Sequence, residues 1–184
     1  MDQGRGVRVR VGEGPASSSH VDHTMACLAE VGTPLDFPLV TAQRAVTYRA
    51  LVEQSLRDFS LNQLEYEWSV LTYALFSKDN HWVTREGQAI SFDVLAERMM
   101  REDWARGVCF GNHRLYGLVA LLRIHDQWRD EGRELLSPEM HASVIHHLAQ
   151  ATRMLIAHQN AAGLWNADWP SETAGDAASS REGD

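Results

Sequence analysis

Apolar residues recur at intervals of three and four along most of the chain, and no long stretch alternates apolar with polar residues. Val21, Met25 and Leu28 mark a first short helix from near Ser19, with Ser19 and Asp22 as a weak cap and Gly32 and Pro34 as its stop. Thr33 to Val40, which contains Pro34 and Pro38, reads as extended or turning. Leu51, Val52, Leu56 and Phe59 define a second helix from about Thr47, with Glu53, Arg57 and Asp58 facing outward. Ser60 and Gln63 read as a capping box for a third helix, which sets Leu64, Trp68, Leu71 and Leu75 on one stripe. So short a join predicts antiparallel neighbours or a sharp kink.

His81 to Ile90 is the least helical internal stretch, and Trp82 to Gly87 within it reads as a loop or a small hairpin. Ser91 then caps a helix to about Met100, with Phe92, Leu95 and Met99 inward. Gly107 and Gly111 bracket a loop that holds Cys109. From Asn112 to about Trp128 runs a strongly apolar helix. Its Leu115, Leu118, Val119, Leu121 and Leu122 cover more than half of the circumference, which predicts a central position. Ser137-Pro138-Glu139 is the clearest helix start: an N-cap, a proline at the first helical position and an acid in the first turn. Met140, Val144, Leu148, Ala151 and Leu155 then step towards Gln159, and Gly163 closes the segment. The pattern predicts an all-α fold of antiparallel helix pairs.

At 184 residues the chain suits one domain with a real core. Residues 1–18, rich in glycine, arginine and serine, read as a disordered leader, with Met25 as another start. Residues 19–170 form the helical-repeat domain, and Ser171 to Asp184 is a tail with no aromatic residue, expected to be mobile. A formal net charge of −8 argues against a broad nucleic-acid footprint, and Arg5, Arg8 and Arg10 make the only dense basic run. No apolar run reaches the roughly 18–20 residues of a membrane span. With only Cys27 and Cys109 far apart, two reduced thiols are simpler than a disulfide. The expected location is cytoplasmic.

The last long helix ends in Gln159-Asn160-Ala161-Ala162-Gly163-Leu164-Trp165. This run resembles the QW motif of squalene and oxidosqualene cyclases, and more broadly the helix-end motif of α/α-toroid proteins. The resemblance implies a partial α/α toroid in which Gln159, Gly163 and Trp165 staple one helix pair to the next, over about Gly107 to Pro170. Ala162 stands where the motif more often has an acid, and the acidic DxDD motif of cyclases is absent. Blocks around Glu65-Tyr66-Glu67-Trp68 and from Cys109 to His113 are similar to uncharacterised bacterial, planctomycete-like proteins.

Candidate chemistry centres on Cys109-Phe110-Gly111-Asn112-His113. A cysteine on a glycine-bounded loop and a histidine in the first turn of a helix suit a shared metal or a thiolate–imidazolium pair. Zinc is the metal such a set would take, and lanthipeptide cyclases and protein prenyltransferases are toroids that hold zinc through cysteine and histidine. Two ligands are supplied locally. The third would come from His81, His125 or the group His141, His146 and His147. The competing account makes Cys109 a small buried residue and His113 a loop-closing one. Trp82 and Tyr116 are candidates to line a ligand cavity, against a core role that is commoner for such rings. Glu65 and Glu67, two apart, do not face each other as a catalytic carboxylate pair. Two functions follow. The first is a non-catalytic scaffold, or a fragment of a toroid protein, that self-associates or binds a protein partner. The other is a toroid-type enzyme with Cys109, Asn112 and His113 at its site, acting on an apolar or carbohydrate substrate.

Overall fold

The computed structural model describes residues 6–9, 11–12, 18, 20–41, 44–103 and 108–165. Its helices are α1 (His23–Glu30), α2 (Tyr48–Asp58), α3 (Glu67–Phe76), α4 (Phe92–Arg101), α5 (Asn112–Asp130) and α6 (Pro138–Ala157). Two antiparallel hairpins interrupt them, β1 (Pro38–Val40) with β2 (Ala45–Thr47), and β3 (His81–Val83) with β4 (Ala89–Ser91). The expected all-α fold of antiparallel helix pairs in a partial α/α toroid is therefore corrected to a mixed fold, mainly helical with two small sheets. The reason is length. Each strand has three residues, too few for an alternating pattern to emerge. In the second hairpin Trp82 faces Ile90, and Gly87 at φ 79° supplies the left-handed turn.

Local chemistry sets three of the six helix starts among the described residues. The Oγ atoms of Thr47, Ser91 and Ser137 accept from the backbone N–H of Ala50, Val94 and Met140, each satisfying one orphan donor. Ser60 caps no helix: Gln63 lies in a turn closed on the Ser60 carbonyl, and α3 begins only at Glu67. Leu64 consequently falls off the expected stripe and is exposed.

The centre of the fold is α3. It packs against α1, α2, α4 and α5, and Ser69 to Ala74 are all buried. A helix apolar on every side has this position open to it. The expected central helix, α5, instead buries Leu118, Leu121 and Ile124 against α3, α4 and α6 and leaves Val119 exposed. Gly117 lets α5 approach closely, since a Cβ there would stand 3.2 Å from the Met99 sulfur. Of the expected leader, Val7 and Val9 pack against the core and Arg8 pairs with Asp58. Residues 1–5, 13–17, 19 and 166–184, and with them the expected tail, lie outside the described residues. No helix among the described residues is long and apolar enough to cross a membrane.

Between α5 and α6, buried His125 accepts the backbone N–H of Leu136 at Nδ1, 3.2 Å away, and stacks on His141 at 4.6 Å. Burial, then the neighbouring His141, lowers the His125 pKa below the usual histidine value. A depressed histidine pKa contributes stability above the unfolded-state value, and this is lost as pH falls through and below about 6.5. Protonation also removes the acceptor for Leu136. His125→Asn, whose amide oxygen still accepts a hydrogen bond, is expected to flatten the loss of stability between about pH 6.5 and 5 in urea titrations. An unchanged acid slope would show that His125 does not carry it.

Candidate metal centre

Three side chains from three parts of the chain converge beside α3. His20 precedes α1, Cys109 lies in a short 3₁₀ turn (Val108–Gly111), and His113 sits in the first turn of α5. One potential ligand atom from each lies within 4.8 Å of the others. Backbone geometry forms the approaches. Asp22 at φ 56° turns the chain into α1, and its carboxylate accepts the hydroxyls of Ser55 and Ser69, both at 2.6 Å. Cys109 at φ 50° is a left-handed non-glycine residue, a conformation that costs about 1–3 kcal/mol and that clusters at functional sites. The Cys109 thiol is exposed and free, which removes the account of it as a small buried residue.

Aromatic rings wall the cluster. The His20 ring meets His113 edge-on at 4.9 Å, and Trp68 lies 5.1 Å from His113 and 4.6 Å from His23. Burial first, and then the adjacent His20, lowers the His113 pKa below the ordinary histidine value. At neutral pH His113 is therefore the uncharged ligating form. The His20 Nδ1 lies 3.2 Å from Glu65 Oε2, and the Val21 N–H donates to that same oxygen at 3.4 Å.

A buried ionic chain underlies the cluster. Arg114, the residue after His113, donates from Nε to Glu67 Oε1 at 3.3 Å and from Nη1 to the Asp103 carbonyl at 2.8 Å. Its Nη2 is 2.8 Å from Glu102 Oε2. Arg98 of α4 donates to Glu102 Oε1 at 2.8 Å and to the carbonyls of Leu61 and Gln63. Glu65, which precedes α3, and Glu67, which opens it, turn to different partners, one to His20 and the other to Arg114.

Two imidazoles and a thiol are donors of the type that holds zinc. Among the described residues no hydrogen bond joins Cys109 to either ring, as a nucleophile–base pair would require. Tetrahedral zinc at about 2.0–2.1 Å from nitrogen and 2.3 Å from sulfur places its donors roughly 3.3–3.6 Å apart. The three potential ligand atoms lie within 4.8 Å of one another, so metal binding would draw them closer together.

The structure brings Cys109 and His113 together and adds His20, which sequence reasoning did not single out. The expected third ligands lie elsewhere. His81 pairs with Asn80 on the hairpin, His125 stacks on His141, and His146 pairs with Gln150; His147 stands with them on α6. Asn112 opens α5 and is exposed. Trp82 packs among Phe59, Tyr73 and Phe92 in the core instead of lining the cluster. Tyr116, one turn beyond His113, lies 5.8 Å from the Trp68 ring and donates its hydroxyl to Glu30. The available sign of His20 was its spacing to His23 at the head of a helix.

Gln159, Gly163 and Trp165 close on their own helix end. Gln159 Nε2 donates to the Gly163 carbonyl at 2.9 Å, Trp165 Nε1 donates to the Leu155 carbonyl at 2.6 Å, and Gly163 has φ 77°. No family model, curated protein or solved structure matches the chain.

Two stability outcomes follow. Arg114→Ala leaves Glu67 buried without its partner, and breaking such a pair costs about 3–5 kcal/mol in chemical denaturation; a loss under about 1 kcal/mol would mean water replaces the guanidinium. Trp165, 45% exposed, is worth roughly one hydrogen bond, so Trp165→Ala should cost about 1 kcal/mol. A loss near 3 kcal/mol would instead place the ring in a buried join.

Proposed function

We propose that the protein is a zinc-binding protein with an open, catalytic-type centre formed by His20, Cys109 and His113. The observation that carries this reading is the convergence of three ligand atoms of zinc-binding type within 4.8 Å. Three protein ligands leave the fourth position to water or substrate, as in catalytic rather than structural zinc sites. Exposure of Cys109 keeps that position reachable from solvent. Zinc held there would polarise a carbonyl or lower the pKa of a bound water to about 7. The wall of Trp68 and His23 favours an apolar or carbohydrate-like substrate placed against an aromatic face. The reading agrees in chemistry with the toroid enzymes that hold zinc through cysteine and histidine, and it does not depend on the QW-like run. Two free thiols accord with a cytoplasmic location.

A binding role forms the second reading. Val119, Ile145, Ile156, Leu164 and Trp165 are apolar and exposed along α5, α6 and the segment after α6, where a second copy or a protein partner would find contact. The formal net charge of −8 leaves nucleic acid out of the partners proposed.

Elemental analysis of the purified protein separates the two. About one zinc per chain is expected in the wild type. It should be lost in the Cys109→Ala, His113→Ala double variant and in His20→Ala, with the circular dichroism of all three unchanged. Zinc in none of them after exposure to the metal would overturn the centre and leave the scaffold reading.

A further inference from the structure

Resting on the zinc assignment above, we infer that Glu65 is the positioning residue of the centre: its carboxylate fixes the tautomer and the orientation of His20 that present Nε2 to the metal. The need for such a residue follows from where each ligand stands. His113 belongs to a helix nineteen residues long, and its ring is held between Trp68 and His20. His20 stands outside any helix, ahead of α1, so no secondary structure aims its ring.

Glu65 supplies what the backbone does not. An ionised carboxylate only accepts hydrogen bonds, so the His20 Nδ1 that faces Glu65 Oε2 at 3.2 Å carries the proton. The lone pair is then on Nε2. The same carboxylate oxygen accepts the Val21 N–H, so ring and backbone of one short segment are gripped together. A carboxylate on the far nitrogen of a ligating histidine fixes ring orientation and raises ligand basicity.

Glu65 is itself held. Gln63 Nε2 donates to the Glu65 carbonyl at 2.6 Å and to Ser69 Oγ at 3.1 Å. Arg98 donates to the carbonyls of Leu61 and Gln63 and continues through Glu102 to Arg114, beside His113. One chain of charge-assisted hydrogen bonds therefore locates the carrier of His20's orientation and the first turn that bears the second imidazole. An isolated surface histidine–carboxylate pair would be worth little. Here the pair ends on a ring that already shares a 4.8 Å cluster with a thiol and a second imidazole.

The test is cobalt(II) titration followed by zinc competition on the wild type, Glu65→Gln and Glu65→Ala, with the urea midpoint of each metal-free protein measured alongside. Glu65→Ala should bind about one metal with affinity lowered about 10–100-fold, keeping the cobalt–thiolate absorption that reports Cys109. Glu65→Gln, whose amide oxygen still accepts from Nδ1, should fall between Glu65→Ala and wild type. A merely structural role would lower the urea midpoint of the metal-free protein and leave the affinity of the folded fraction unchanged, which would overturn the inference. Loss of binding beyond roughly a thousandfold, with an altered cobalt coordination spectrum, would make Glu65 a ligand and overturn it as well. A wild type that takes up neither cobalt nor zinc would overturn the zinc assignment itself.

Discussion

Burying Arg114 imposes a condition that much of the molecule meets. Its guanidinium cannot lose its charge, so it needs carboxylates and carbonyls in reach of its donors. Glu67 at the head of α3, Glu102 after α4 and the Asp103 carbonyl supply them. Two separate segments, the head of α3 and the chain just after α4, are thereby brought to the first turn of α5. Arg98 extends the chain from Glu102 to the loop before α3. Paired buried charges add little net stability over a well-packed apolar core, but they fix register, because a misplaced partner leaves a charge uncompensated. In this fold the register so fixed is that of the residues around the candidate centre.

The centre lies where helix ends and turns meet, and each of its donors reaches it differently. His113 is carried by a long helix, Cys109 by a left-handed turn, and His20 by an irregular segment clasped by Glu65. An aromatic ring lies against His113, and the Cys109 thiol is exposed.

Helix positions in this chain were largely legible because their signals are local. Thr47, Ser91 and Ser137 each cap within three residues, and periodic apolar positions follow each of them. The failures share a cause. Ser60 and Gln63 satisfy the pattern of a capping box, yet they close a turn, and α3 begins only at Glu67, which pairs with Arg114 forty-seven residues away. The first hairpin escaped because three residues per strand carry too little alternation; the second was open as a loop or a small hairpin, and it turns at Gly87 with Trp82 packed against Phe59, Tyr73 and Phe92.

Half of the site was visible in the same way. Cys109 and His113, four residues apart at a helix start, were marked by proximity along the chain. His20 lies eighty-nine residues before Cys109, and nothing along the chain marks Glu65 as its neighbour. The sequence by itself determined helical segments, their caps, the acidic balance and a local cysteine–histidine pair, since each rests on contacts within a turn or two. Only tertiary structure decided that α3 and not α5 is central, that short strands pair, and that His20 lies beside Cys109 and His113 with Glu65 against its ring. Those outcomes depend on which distant groups satisfy one another's charges and hydrogen bonds once buried, and no periodicity along a chain encodes that.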